Sequence, residues 1–598
     1  MRLRIPSWAV EGLLVVLTVF GPFAFGGVEP WSRATIEVLA LLLALLCFLK
    51  GRPAATSVGA YFWVFPAAVA VLGYIQLTTV VLPGGPYPLR PFTATPYETQ
   101  ASIMLWVVYA AVMWSVPRIV TAHDCARRYA RVLFGVGLVL AGLGLLQMGG
   151  GGDRLYWLRY APRVSSFGSY YNRDHAANIL LMSLAMGVGL FISRGGSRLK
   201  IENGVYSRTP LLAGLFIVIA GLFACSSEAS FIAIPLSGAA VAFLGADFAR
   251  SARHRRWRAA AALAGAALTI FFAYHHVSAS ADAGSLIDRS VMGRLSIYGD
   301  AWRWWRHSPL FGTGLGGFEA IYPSYQDLGL LGTAAHAHSD WIEFALETGL
   351  LGLVSGIGVF MFALSVITRT WREARSSEMR ALIGGGLAAI TAFAAHSLFE
   401  FSFQIPGNAV MFFALLGFLL SAPSWADKSA SYEDEKRPSA GTALLAAAYC
   451  VVLMRAAVVP AAASWQAARP GDAVERVVSL AQAVSLDANP VFAKRLSDAA
   501  YSAAGEGARP DYSFLRISLR YALAAAERRP FSTDSLYLAG AVLHRLKRAE
   551  DGRDYLRRSN AVRFSRFEPR RETVARRREK KIDVLRELNL APAKTEKR

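Results

Sequence analysis

Cysteine is nearly absent from this chain: four residues in 598, at 47, 125, 225 and 450. None sits at a zinc-finger spacing, and no pair is placed where an oxidising compartment could join it, so neither a disulfide framework nor a thiolate metal site organises the protein. Charge is also scarce. Only 18% of residues are Asp, Glu, Lys or Arg, while 54% are hydrophobic and the mean hydropathy is +0.35. A soluble enzyme of this length would be less apolar, which disfavours a soluble multi-domain protein with buried helices. A removable signal peptide is disfavoured as well. Arg2 and Arg4 precede an apolar stretch, but no small-residue cleavage site follows it, and more apolar runs do.

What the chain does have is long apolar runs, each able to cross a hydrocarbon core of roughly 30 Å as a helix. Thirteen are expected, at about 7–27, 34–49, 59–81, 100–117, 132–149, 175–193, 209–225, 230–249, 259–280, 342–368, 381–400, 405–423 and 441–463. With the N-terminus inside, the inner connections hold 24 Lys and Arg against 10 in the outer ones before residue 464. That asymmetry orients the chain by the positive-inside rule. Basic clusters such as Arg250, Arg253, Arg255, Arg256 and Arg258 then read as topology signals and not as a nucleic-acid surface. An odd number of spans puts the loop 281–341 and everything after 463 outside.

The expected fold is therefore all-α: a polytopic membrane bundle over 1–463 with a large external loop, followed by a soluble α-helical domain over 464–598. The second region holds 28 Lys and Arg against 17 Asp and Glu, a net of +11, and no run long enough to span. Amphipathic periods occur in DAVERVVSLAQAVSL, VFAKRLSDAAYSAA, YSFLRISLRYALAAAER, STDSLYLAGAVLHRLKRA and DGRDYLRRSNAVRF. Two of its segments each set a proline, Pro490 or Pro530, ahead of a helix with small residues on its face. That resembles tetratricopeptide-like hairpins, although the two prolines are 40 residues apart and the usual period is 34. An irregular helical bundle is the alternative.

Ionisable groups beside a bilayer are costly unless paired or wet, so those on the outer face are candidate working residues. They gather in three places: Arg154, Arg159, Arg163, Arg173 and His175 before the sixth span; Ser226, Ser227 and Glu228 between the seventh and eighth; and Arg289, Arg294, Tyr298, Arg303, Arg306, Tyr322, Tyr325, His336, His338 and Asp340 in and around the long loop. Guanidinium is permanently charged and presents a planar fork that fits phosphate oxygens, so this set suits an anionic headgroup, a lipid diphosphate best of all. Local pairing with Asp282, Asp288 or Asp300 is the competing use. His338 is the best base, because imidazole titrates near neutrality. Asp340 either orients that imidazole or caps the following helix. Gly312, Gly314, Gly316 and Gly317 look like a phosphate loop, but no Lys-Ser/Thr follows, so tight turns are the better reading.

Three segments resemble the O-antigen ligase and polymerase superfamily of polytopic glycan transferases. GSYYNRDHAANILLM (168–182) is similar to its Asn-x-Asn-His approach to a span; GRLSIYGDAWRWWRHSPLFGTGLGGF (293–318) to its arginine helix and Pro-Leu-x-Gly-x-Gly-x-Gly-x-Phe; AHAHSDWIEFALETGLLGLV (335–354) to its His-x-His-Asn-Asp signature. The resemblance covers about 100–425. It implies a bacterial inner-membrane glycosyltransferase, multi-pass, that works on the periplasmic face and moves a glycan from undecaprenyl diphosphate with inversion and without metal or other cofactor. It implies that His338, the second histidine of the pair, is the catalytic base and Arg294 the cation stabilising the leaving diphosphate, with Arg163, Arg173, His175, Arg289, Tyr298, His336 and Asp340 around the diphosphate or glycan.

Three departures stand out. Many members carry an arginine near the start of the span at 230–249 where this chain has Glu228; Asn-x-Asn-His becomes Asn172-Arg173-Asp174-His175; and Ser339 replaces the asparagine before Asp340. The acceptor is open. A ligase joins glycan to a lipid, a polymerase joins repeat units and can work beside a chain-length regulator, and a third group acts as protein O-oligosaccharyltransferases. The outer helical domain favours the last two. A lipid-linked glycan transporter is the alternative from another class. It would usually show inverted repeats and broken, charged mid-membrane helices, and the intramembrane charges here, Glu11, Glu37 and Arg455, look isolated.

Overall fold

The computed structural model describes residues 5–51, 62–80, 90–91, 93–150, 153–161, 166–193, 209–244, 286–326, 334–426, 438–505, 510–529 and 532–564. Twelve of the thirteen expected spans fall on these residues, and each is a helix: α1 (Ser7–Phe23), α2 (Pro30–Lys50), α3 (Val64–Leu77), α4 (Pro96–Ile119), α5 (His123–Gly149), α6 (Arg173–Ser193), α7 (Thr209–Cys225), α8 (Glu228–Leu244), α10 (Asp340–Glu373), α11 (Ser377–His396), α12 (Pro406–Leu420) and α13 (Ala440–Ala467). The span expected at 259–280 lies outside the described residues. Seven of the twelve (α2, α4, α5, α6, α10, α11 and α13) are long and apolar enough to cross a membrane by length and composition, and the rest are shorter apolar helices. Among the described residues the strands are two antiparallel ladders of two residues each, Thr79–Val80 with Arg90–Pro91 and Arg154–Leu155 with Arg159–Tyr160. The protein is an all-α, multi-pass membrane protein.

Where helix ends depart from the apolar runs, polar pairing is the cause. α5 begins nine residues before the expected 132, because Arg127 pairs with Glu378 of α11 and Arg128 with Glu11 of α1, at 2.8 Å. Glu11 is thus not the isolated charge its position suggested. Nor is Glu37, whose carboxylate takes Arg33 one turn earlier at 2.9 Å. Arg455 is exposed on α13 and has no ion-pair partner among the described residues.

The bundle is built round α6, α11 and α12. Between lipid-soluble helices the hydrophobic effect offers little, so close backbone approach has to hold them. Gly189 of α6 and Gly385 of α11 meet face to face, and a Cβ on Gly189 would lie 2.7 Å from the Ala381 carbonyl. Every residue of α12 is buried. The outer sides of α10 and α13 leave Val354, Met361, Phe362, Leu444 and Val452 uncovered, as lipid-facing surface requires.

The described part of the long loop between α8 and α10 has a core of its own. Helix α9 (Leu286–Trp305) packs Ile297, Ala301 and Trp304 against Phe318, Ile321, Tyr322, Ala337 and Leu346. Trp304 stacks on Tyr325 at 5.6 Å and Phe318 on Tyr322 at 4.9 Å. This core fixes the segment that carries the two histidines to the segment that carries Arg294.

Beyond α13 come five helices where the amphipathic periods placed them: α14 (Ala473–Leu486), α15 (Pro490–Ala503), α16 (Tyr512–Arg528), α17 (Thr533–Arg545) and α18 (Ala549–Phe564), each packed on the next. Ala463 and Ala467 at the end of α13 join their core. These helices also touch the N-terminal end of α4. The Tyr97 hydroxyl donates to Asp487 at 2.6 Å, and Arg529 donates to Glu98 at 2.6 Å.

Candidate functional site

The site lies where α6, α9, α10 and α11 end on one face. Its geometry begins with a break. The helix from Asp340 to Glu373 is interrupted at Gly349 (φ 70°, ψ −170°), so that residues 340–348 form a separate helical piece above the long span. The segment Pro309–Gly316 wedges against the interruption. Thr313 N–H donates to the Leu346 carbonyl at 3.1 Å, Leu350 N–H to Pro309 at 2.7 Å and Leu351 N–H to Leu310 at 3.2 Å. Gly349 and Gly312 each have positive φ, and a Cβ on either would strike backbone at 2.3 Å. The glycine-rich run turns the chain, as its sequence implied. The amides of Gly316, Gly317 and Phe318 face the buried Glu347 carboxyl group, so the protein itself fills this turn.

Just before this piece, His338 has φ +50°, in the left-handed region that costs a β-carbon-bearing residue about 1–2 kcal/mol. Strain of this kind persists only where neighbours impose it. Three do so. The Tyr298 hydroxyl donates to the His338 carbonyl at 3.0 Å, Ala337 N–H donates to Glu343 at 2.9 Å, and Asp340 N–H donates to the carbonyls of Ser397 at 3.0 Å and Glu400 at 3.2 Å. Tyr298 therefore holds the histidine backbone. Its phenol is raised above the ordinary value by burial.

Glu400 is the centre of the charge arrangement. Its side chain is fully buried, one oxygen paired with the Arg294 guanidinium and the other 3.6 Å from Nδ1 of His338. Arg294 is 17% exposed and His338 35%, so cation and imidazole reach the accessible side while their shared carboxylate does not. His336 is bound differently, with Nδ1 2.9 Å from the buried Glu343. Burial presses its pKa down, but Glu343 overcomes this and leaves it above the ordinary 6.5. The ring of Phe401 gathers three imidazoles: His336 stacked at 4.3 Å, His175 edge-on at 4.5 Å and His338 edge-on at 5.2 Å.

The remaining expected residues separate clearly. His175 is buried, its carbonyl accepting from Asn408 at 2.9 Å while Asn408 in turn accepts from Tyr170 at 2.8 Å. Arg173 lies at the start of α6, half-buried and without an ion pair among the described residues. Asp340 takes neither of its expected roles: Ser339 caps α10 by accepting from Ile342 N–H, and the Asp340 carboxylate accepts Phe403 N–H at 3.0–3.1 Å. Arg303 pairs with buried Asp300, the local use that competes with headgroup binding, and Arg159 goes to Glu29 at 3.0 Å. Arg163 lies outside the described residues, as does the side chain of Arg289 on α9. Glu228 begins α8 directly after the tight Ser226–Ser227 turn. The residues that sequence reasoning missed are Glu400, Glu343, Phe401 and His396. A carboxylate at the end of an apolar run, Glu400, was the signal available for the first of them.

Beside the site an aromatic cleft of about 130 Å³ lies between α3, α4, α10 and α12. Phe62, Phe65, Trp106, Phe344, Phe360 and Phe413 line its length, and Asp340, Glu347, Ser102 and Gln404 are its polar members. Asp340, two residues from His338 in the chain, is part of its lining.

These features define a class: a multi-pass helical membrane protein with an imidazole and a guanidinium set on one buried carboxylate, beside an apolar cleft. Residues 213–357 match the family model described as O-antigen ligase, which supports placing the chain in the O-antigen ligase superfamily, a family of membrane glycan transferases. The match takes in Arg294, His336, His338, Asp340 and the glycine-rich run; Glu400 and α14–α18 lie beyond it. No curated protein matches the chain.

Proposed function

We propose that this protein transfers a glycan from undecaprenyl diphosphate to an acceptor on the periplasmic face of the bacterial inner membrane, by inversion and without metal. The observation that carries the reading is the pair His338 and Arg294, partly exposed on either side of Glu400, with an aromatic cleft close by that we read as the seat of the isoprenoid chain. The acceptor hydroxyl gives its proton to His338 as its oxygen bonds to the anomeric carbon, and the bond from that carbon to the diphosphate breaks with its electrons leaving on phosphate. General-base help of this kind contributes roughly 10²–10⁴-fold. Arg294 meets the charge that develops on the diphosphate, where a preorganised cation acts most strongly. Arg173 and, from the sequence, Arg163 and Arg289 add grip on the headgroup. Tyr298, Asp340 and His175 position the loop, and the partly exposed His336 contributes polar surface toward the glycan.

The acceptor reading favoured is a polysaccharide repeat unit or a core lipid, as for a polymerase or ligase. A protein hydroxyl is the second reading, supported by the successive helical hairpins of α14–α18, which we read as a periplasmic, tetratricopeptide-like partner-binding domain. The test is product formation by purified protein given undecaprenyl-diphosphate glycan and acceptor, with and without chelator. The expected result is product in both. Movement of the lipid-linked glycan across a vesicle membrane with no product from any acceptor would replace this reading by transport.

A further inference from the structure

We infer that Glu400 is a positioning residue for the transfer reaction, fixing which nitrogen of His338 stays free to take a proton. The inference rests on the glycosyltransferase reading for its reaction, and on geometry for its content.

Three observations meet at this carboxylate. Its side chain has no exposure, and its Oε2, 3.6 Å from His338 Nδ1, has no hydrogen-bond partner among the described residues; neither does His338 Nδ1. A small approach of these two buried complementary atoms would remove both orphans at once, and leaving either without a partner is costly. The other oxygen, Oε1, is occupied by Arg294, which stabilises the ionised form. Finally, both backbones are pinned: Glu400 N–H donates to the His396 carbonyl at 3.1 Å, the Glu400 carbonyl accepts Asp340 N–H at 3.2 Å, and Tyr298 holds the His338 carbonyl. The left-handed backbone of His338 turns the ring toward Glu400.

The chemical consequence follows from imidazole's two nitrogens. A carboxylate at Nδ1 places the neutral ring's proton there, leaves Nε2 bare and stabilises the imidazolium once Nε2 has taken the acceptor's proton. The balance is closed: the hydroxyl proton moves to Nε2, the new C–O bond forms, and the diphosphate leaves with the electron pair of the bond it loses. Glu400 changes no protonation state. The other charged and titratable groups that face the pair are Arg294 and Tyr298 from α9, Asp174 and His175 from α6, His336 and Asp340 beside the loop, and His396 at the end of α11.

The experiment measures two things on full-length protein in lipid nanodiscs: the rate of transfer against pH, and the titration of His338 by deuterium exchange at its ring C2 carbon followed by mass spectrometry. Glu400→Gln keeps the shape and removes the charge. It should lower kcat by 10²-fold or more, shift the acidic limb of the pH–rate profile to lower pH, and move the His338 titration the same way. Glu400→Asp, which keeps the charge one methylene further back, should lose rate but retain the wild-type limb, and it carries the test should Glu400→Gln fail to fold: a limb displaced in Glu400→Asp would then overturn the inference. An unchanged His338 titration in folded Glu400→Gln, with rate loss matching lost stability, would also overturn it. Absence of product from wild type defeats the transferase reading, and the His338 titration in Glu400→Gln then decides the role of Glu400 by itself.

Discussion

The mouth of the membrane bundle and the helical unit α14–α18 spend their polar groups in opposite ways. In the helical unit, apart from the contacts of Asp487 and Arg529 with α4, they commonly form helix caps and pairs one turn apart. Asp472 caps α14 through Val474 N–H at 2.9 Å and Glu475 N–H at 2.8 Å while Glu475 returns to Asp472 N–H at 3.0 Å, and Lys494 pairs with Asp498 one turn on. At the mouth they reach across the chain: Arg294 to Glu400, Tyr298 to His338, Gln76 to the Glu347 carbonyl at 2.9 Å, Tyr170 to Asn408. Local pairing stabilises a helix by tenths of a kcal/mol to about 1 kcal/mol per contact and leaves its neighbours indifferent. Long-range pairing of buried groups binds distant segments into one geometry, and losing one partner leaves the other stranded. Robust scaffold and preorganised site are thus built from the same residue types, differing in how far apart in sequence the partners lie.

Substitutions can break that contrast, beginning with the largest effect. Arg294→Lys keeps the charge but loses the planar fork and strands Glu400. Transfer should fall about 10²–10³-fold while expression and membrane insertion stay normal, as read by product formation and size-exclusion profile. Equal activity would reduce Arg294 to a partner of Glu400 alone. Tyr298→Phe removes only the hydroxyl that holds the strained His338 carbonyl. With one hydrogen bond worth about 0.5–1.5 kcal/mol net, kcat should drop roughly 3–10-fold. An unaffected rate would mean the other anchors suffice.

Glu343→Gln tests the His336 pair through pH. The folded pKa of His336 lies above the ordinary 6.5, so its pairing contributes stability fully below 6.5, and that contribution is lost as pH rises through the folded value. The Tm gap between wild type and Glu343→Gln should therefore be widest in mildly acidic buffer and narrow on the alkaline side. A gap that widened with pH would contradict the assignment. The smallest effect belongs to the helical unit: Asp472→Ala should cost about 1 kcal/mol of its stability by denaturation and leave transfer unchanged.

The same contrast governs what could be read from residues alone. Helix α14 announces itself locally, with a cap at Asp472 and an apolar stripe, and α16 likewise, so both sit where periodicity placed them. His338, Arg294 and His336 were singled out by residue type and motif spacing, and the structure brings them close to one another. Glu400 was passed over: only its place at the end of an apolar run marked it, and its partners are 62 and 106 positions away. Nor could sequence tell that Asp340 would accept from Phe403 when an N-cap position explains an aspartate equally well. The break at Gly349 was hidden for a related reason: only the wedge of Pro309–Gly316, brought in by tertiary packing, demands it.

The central claim is that His338 is the base. The measurement that meets it most directly is glycan product formed by purified wild type, His338→Ala and His336→Ala from the same lipid-linked donor and acceptor, alongside binding of the donor by each. The account predicts that His338→Ala forms no product yet still binds donor through Arg294, and that His336→Ala loses far less. Full activity in His338→Ala would contradict it.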